Sequence, residues 1–362
     1  MERNLLIETS RMVVKLGTGI LTGRRKQIDP RKIEQLVEQV AAQHKDGREV
    51  VVVSSGAVGA GMGVLNIEKR PTDLSDLQAC AAVGQSALMS TYSELFAKYN
   101  LKVAQVLLTH DDLEDQDRHL NARNTIVSLL DKGVIPIVNE NDAVSYTELK
   151  FGDNDRLSAI VAIVVKAEKL VLITNQEGLF DSDPEKSNNA EKINYIEYDS
   201  EELAELIPLS ATGEGVGGFS TKIMASQMAG FSGIPTQIIT WSDECIKKVV
   251  NSEDIGTLVR PSSKKVKLKK LWIAYGMPII GKIIIDDGAK NALTKDASLL
   301  SIGIKEIKVP FEINDGVEIF DSNDLLIAKG ISKISSKEFS LGKEAEGKVV
   351  ICLLYTSPSP RD

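Results

Sequence analysis

Val134-Ile135-Pro136-Ile137-Val138 is an apolar run that empties directly into Asn139-Glu140-Asn141-Asp142. Apolar residues without alternation over so short a span read as a strand buried on both faces, the kind a parallel sheet uses. Open α/β sheets bind ligands beyond the carboxyl ends of their strands, which is where these short polar side chains emerge. A second polar cluster follows at residues 151–157, Phe-Gly-Asp-Asn-Asp-Arg-Leu, ahead of an apolar helix predicted over 157–165. Asn and Asp also make turns and helix caps. Two such clusters this close together nevertheless point to a site.

Working outward, strands are predicted at residues 12–16, 49–53, 101–108, 169–173 and 235–240. Helices are predicted from the Asp29-Pro30 cap to Gly47, and over 77–99, 116–130 and 243–250. This alternation implies βαβ units and an α/β fold, a mostly parallel open sheet sandwiched by helices. Beyond residue 270 the pattern changes to short strands at 279–285, 307–310, 317–320 and 325–331, broken by Gly, Asp and Asn, which reads as a small β-rich domain. The expected division is a large domain at 1–260, a Lys-rich linker at 261–270 and a β-rich domain at 271–351. The last stretch, 352–362 (CLLYTSPSPRD), breaks with everything before it and is set aside as a non-native tail.

The totals exclude several classes. A formal charge of -8 with a pI of about 5.2 argues against a general polyanion binder. Cys80, Cys245 and Cys352 are too widely spaced for a disulfide framework or metal knuckle, and His44, His110 and His119 show no ligand spacing. The start of the chain lacks a basic segment followed by an apolar core of roughly 7 to 15 residues, and no run approaches the ~18 needed to span a bilayer. The expectation is a soluble, cytoplasmic protein.

Three glycine-rich stretches carry the chemistry. Lys15 leaves the first strand beside Gly17-Thr18-Gly19, where backbone N–H groups and a mobile positive charge suit a phosphate. The run Ser54-Ser55-Gly56-Ala57-Val58-Gly59-Ala60-Gly61 follows the second strand; its small residues permit either a ligand or another element to approach the backbone closely. Gly213, Gly215 and Gly218 satisfy GxGxxG formally, but no strand precedes them, so a dinucleotide fingerprint is rejected, and no Walker A is present. What remains there is a glycine-rich loop delivering Ser220, Thr221 and Lys222 to a helix N-terminus, a position suited to a nucleotide phosphate. The acidic run at 111–117 favours a helix dipole. Lys264-Lys265-Val266-Lys267-Leu268-Lys269-Lys270 reads as a solvated linker, with local RNA contact as the alternative. Two lysines at glycine-rich sites, acids at strand ends, and no Ser/His, Cys/His or metal cluster fit phosphoryl transfer, where charge neutralisation and positioning are the main tasks. An acceptor that is itself a carboxylate needs no general base.

The motifs VVKLGTG, VVVSSGAVGAG, LNARNT, PIVNENDAV, FGDND and GGFSTK, in this order, resemble the amino acid kinase family, and the segment from about residue 270 resembles a PUA domain. Within that family the resemblance is to members that use ATP to phosphorylate the side-chain carboxylate of L-glutamate, the first step of proline biosynthesis. It implies that Lys15 and Lys222 flank the transferring phosphoryl group and that Asp155 orients both. Ser55, Gly56, Asp142, Asn154 and Lys150 would hold glutamate, with Asp142 on its ammonium. Gly17, Thr174, Asn175, Val216, Gly217, Gly218, Phe219, Ser220 and Thr221, with the two lysines, would contact ATP, and Mg2+ would ride on its phosphates rather than on protein ligands. Inhibition by proline and assembly into a dimer or tetramer are also implied. Two positions depart from the family pattern, Asn175 for an aspartate and Val216-Gly217-Gly218-Phe219 for Thr-Gly-Gly-Met, and both concern the nucleotide. The alternatives are a different carboxylate acceptor, as in acetylglutamate kinase or aspartokinase, and an RNA-binding PUA protein.

Overall fold

The computed structural model describes residues 9–21, 28–109, 112, 116–144, 154–182, 189–206, 217–261, 279–293, 298–340 and 349–356. The chain forms two compact units, Met1–Lys264 and Lys265–Asp362. Most of the expected linker, 262–270, lies outside the described residues.

The first unit begins with β1 (Arg11–Leu16), α1 (Thr18–Leu21), α2 (Pro30–Lys45), β2 (Glu49–Ser54), α3 (Ala57–Val64) and α4 (Leu74–Ala97). It continues with β3 (Lys102–Leu108), α5 (Gln116–Leu130), β4 (Val134–Glu140), α6 (Asp155–Val164), β5 (Lys169–Thr174), β6 (Leu179–Phe180) and β7 (Lys192–Ile193). It closes with β8 (Tyr195–Glu197), α7 (Glu201–Glu205), α8 (Gly217–Phe231), β9 (Thr236–Thr240), α9 (Cys245–Val250) and β10 (Thr257–Arg260). Eight strands form one sheet in the order β3-β4-β2-β1-β5-β9-β10-β8. Neighbours are parallel except β9 and β10, so the mostly parallel sheet read from the sequence is observed. The central strands are buried along nearly their whole length, as continuous Val/Ile/Leu runs require. Helix α2 is capped by the Asp29 carboxylate, which accepts from Arg31 N–H, and buries Ile33, Leu36, Val37 and Val40.

Two local departures matter for the site. Residues 57–64 form a helix although Ala-Val-Gly-Ala-Gly-Met-Gly-Val is a poor helix sequence. Tertiary contact overrides propensity: a Cβ on Gly84 would come 1.8 Å from Ala57 O, and one on Gly61 1.8 Å from Cys80 O. Helices α3 and α4 therefore meet backbone to backbone, which locks the turn ahead of α3. The second departure is that α6 starts at Asp155 rather than 157, so Asp155 occupies its first turn with Asn154 as the capping residue.

At the amino-terminal end of the interior strand β5, Lys169 has only 1% of its surface exposed, its ammonium donating to Val249 O at 3.2 Å. Burial, aided by repulsion from Arg48, pulls its pKa down from 10.5 to about 8. Between these values the unfolded chain binds the proton and the folded chain releases it, so folding stability rises with pH across that window. Below pH 8 the burial cost is fully present. The Lys169→Met variant is expected to lose this rise, which integrates to about 1 to 3 kcal/mol. Urea unfolding of both proteins at pH 7 and pH 10 measures the difference; parallel pH profiles would contradict it.

The second unit is a six-stranded sheet in the order β12-β16-β15-β14-β11-β13. Its strands are β11 (Ile279–Ile285), β12 (Leu299–Leu300), β13 (Ile304–Val309), β14 (Gly316–Phe320), β15 (Leu326–Ser332) and β16 (Val349–Thr356), with helices α10 (Asp287–Leu293) and α11 (Ser336–Ser340). Ile283, Ile285, Val317, Ile319, Phe311 and Val350 fill its core. Strand β16 continues past residue 352, where the expected tail begins. It runs on through Thr356, with Cys352 opposite Ile331 and Thr356 opposite Ala328. Cys-Leu-Leu-Tyr-Thr is a β-prone run, and pairing with β15 depends on backbone register rather than on how foreign the composition looks.

Candidate active site

Strand register brings the predicted residues to one edge. Leu16 lies opposite both Ser54 and Ile173, and Val53 opposite Val138, so β4, β2, β1 and β5 end side by side. Their exits carry, in that order, Asn139 to Asp142, Ser55-Gly56, Gly17 and Thr174-Asn175. At Gly56 the backbone turns with φ 112°, and a Cβ there would meet Ile28 Cδ1 at 2.7 Å. Only glycine adopts that conformation without strain, and the turn feeds the chain straight into α3.

Asp155 is the centre of the edge. It is 0% exposed, and its Oδ1 lies 2.6 Å from Lys15 Nζ while its Oδ2 lies 3.0 Å from Lys222 Nζ. Thr221 Oγ1 donates to the same Oδ2 at 3.2 Å. Lys15 leaves β1 and Lys222 comes from the second turn of α8, which packs on α6. One carboxylate thus holds two ammonium groups from distant parts of the chain. In their ordinary charge states the three groups sum to one positive charge, which suits an anion such as a phosphoryl group rather than a metal cation.

Beside this triad Asn154, also 0% exposed, donates its Nδ2 to Ser55 Oγ at 3.0 Å and to Asn139 Oδ1 at 2.7 Å. Asn139 Nδ2 in turn donates to Gln85 Oε1 at 3.0 Å. Ser54 Oγ and Tyr92 OH lie 2.8 Å apart beneath the turn, and burial pushes the Tyr92 phenol up to about 12, so it stays protonated as a fixed hydrogen-bonding group. Asp142 is buried where the chain leaves β4 and, with Glu140, Gln85 and Ala57, lines a cavity of about 250 Å³.

Of the predicted residues, Lys15, Asp155 and Lys222 converge, Ser55 and Asn154 are bonded to each other, and Asp142 borders the adjoining cavity. Thr174 is half-buried and Asn175 exposed, its Nδ2 2.8 Å from where a Cβ on Gly19 would stand. Gly217, Gly218, Phe219, Ser220 and Thr221 are not loop residues: α8 already starts at Gly217, because the glycines accept a helical first turn once α8 packs on α6. Lys150 and Val216 lie outside the described residues. Sequence reasoning did not single out Gln85 or Tyr92. Both sit on a helix rich in small residues, with no turn or glycine signature to mark them.

A profile of the amino acid kinase family matches residues 10–240, and one of the PUA domain matches residues 281–351. The chain belongs to the amino acid kinase family. Relatives of this amino acid kinase include the glutamate 5-kinase of Photobacterium profundum, 43% identical over 339 residues, covering 92% of this chain and 90% of that protein. The glutamate 5-kinase of Citrifermentans bemidjiense is 42% identical over 340 residues, 93% of this chain and 91% of that protein. That of Prochlorococcus marinus is 42% identical over 330 residues, 90% and 91% of the two chains.

Proposed function

We propose that this amino acid kinase transfers the γ-phosphoryl group of ATP to the side-chain carboxylate of L-glutamate, giving L-glutamyl 5-phosphate and ADP and opening proline biosynthesis. The observation that carries the reading is Asp155 holding Lys15 and Lys222 on its two oxygens, with the acceptor-side Asn154 next to it in sequence. A carboxylate oxygen attacks the γ-phosphorus, the bond to the β,γ-bridging oxygen breaks, and ADP leaves with the electron pair. No proton need move. The chemical obstacle is repulsion between anions, and two ammonium groups beside the transferring group offset it.

In this reading Lys15 and Lys222 contact the phosphoryl oxygens and Asp155 keeps them from drifting. Gly17 and the start of α8, from Gly217 to Thr221, receive the nucleotide phosphates with Val216, and Thr174 and Asn175 border the rest of ATP. Ser55, Gly56, Asp142, Asn154 and Lys150 hold glutamate. Magnesium belongs on the nucleotide, where it shields the phosphate charge. Among the described residues no helix is long and apolar enough to cross a membrane. A cytoplasmic homo-oligomer inhibited by proline, with residues 1–260 catalytic, 261–270 connecting and 271–351 forming the PUA domain, completes the proposal.

Purified protein given ATP, magnesium, glutamate and hydroxylamine is expected to form γ-glutamyl hydroxamate, and to prefer glutamate over N-acetylglutamate and aspartate. A folded protein that makes no hydroxamate from glutamate would sink the assignment. Turnover of N-acetylglutamate or aspartate instead would keep the reaction type and change the acceptor.

A further inference from the structure

The hydrogen bonds around Asn154 have a direction. Its Nδ2 also faces Ser54 O at 3.5 Å, and a backbone carbonyl only accepts, so the nitrogen is fixed on that side. Asn139 must then turn its Oδ1 toward Asn154 and its Nδ2 toward Gln85 Oε1. Gln85 in turn donates its Nε2 to Gln105 Oε1 at 3.1 Å, at the exposed end of the series. Four carboxamides from α4, β3, β4 and the cap of α6 are thereby aligned head to tail. The consequence falls on Asn154 Oδ1, which is buried and has no hydrogen-bond partner among the described residues. A buried carbonyl oxygen in this state is costly unless a donor reaches it, and a bound ligand or a water can supply one.

We infer that Gln85, backed by Gln105, is a positioning residue for the acceptor: its Oε1 accepts from Asn139 and so holds Asn139 Oδ1 on Asn154 Nδ2, which, with Ser54 O and Ser55, keeps the Asn154 carbonyl in place as an acceptor for the substrate's ammonium. The inference rests on the proposed glutamate kinase reading. At neutral pH glutamate offers two carboxylates, which accept, and one ammonium, which donates. An oriented carbonyl therefore selects the α-amino end and leaves the side-chain carboxylate for the phosphoryl group. Without the Gln85 oxygen, Asn139 is released to rotate, and Asn154 loses the partner that holds its plane.

Gln85 is half-buried, so an apolar replacement fits the fold. In Gln85→Met the KM for glutamate is expected to rise roughly 5- to 10-fold, about the weight of one weakened hydrogen bond to a charged group. The kcat and the KM for ATP should stay within about twofold of wild type, because neither depends on the ammonium contact. Inhibition by glutarate, which has the two carboxylates but no amino group, should be unchanged. Gln85→Ala, which favours the helix, gives an independent version of the same measurement. An active wild type whose KM for glutamate is unmoved in both variants overturns the relay. Equal weakening toward glutamate and glutarate also overturns it, since that is loosening of the fold rather than loss of an oriented acceptor. A wild type inert toward glutamate removes the underlying reading instead.

Discussion

Replacing Asp155 with Asn is expected to lower kcat on the order of 100- to 1,000-fold and to destabilise the unliganded protein by about 3 to 5 kcal/mol. The substitution preserves volume and shape, so packing of α6 against its neighbours is untouched and the effect is electrostatic. Asp155 is the carboxylate facing two ammonium groups at 2.6 and 3.0 Å, and the Lys15 side chain is only 3% exposed. Remove its charge, and two cations are left close together in a poorly hydrated space. Deprotonation of one lysine or outward movement of the other would relieve the repulsion, and either removes a positive charge from the place where the phosphoryl group needs it. Steady-state kinetics at saturating ATP and glutamate, with urea unfolding of the same preparation, measure both consequences. A variant with wild-type kcat would show that the aspartate does not organise the lysines.

How far this arrangement was legible in the sequence depends on the kind of contact. The sheet was readable because its central strands are uninterrupted runs of Val, Ile and Leu, and their polar exits mark the ligand edge directly. The pairing of Lys15 with Lys222 through Asp155 was accessible only through resemblance, since periodicity carries no information about contacts as distant in sequence as Asp155 and Lys222, 67 positions apart, or Lys15 and Asp155, farther still. Helix α3 was missed for a physical reason: its glycines lower helix propensity but are required by the backbone contact with α4, and propensity sees only the first effect. The same limit hid Gln85. It is an ordinary helix residue until Asn139, 54 positions later, is brought against it.

Replacing Lys222 with Ala is expected to lower kcat by a similar 100- to 1,000-fold, as for loss of a group that binds developing charge, yet to cost only about 1 to 2 kcal/mol in stability. The difference between the two variants follows from what each leaves behind. After loss of Lys222, Asp155 still faces Lys15 and still accepts from Thr221 Oγ1, so the buried carboxylate remains compensated. Lys222 is also the more exposed of the lysines, its side chain at 13%, so removing it opens space that water reaches. If the two lysines and the aspartate act as one unit, the double variant Asp155→Asn with Lys222→Ala loses little more kcat than either single change. Multiplicative losses would instead mean that Asp155 serves Lys15 and Lys222 separately. A double variant more stable than Asp155→Asn alone would follow from the same electrostatics, because removing the second ammonium relieves the repulsion that the missing carboxylate had masked.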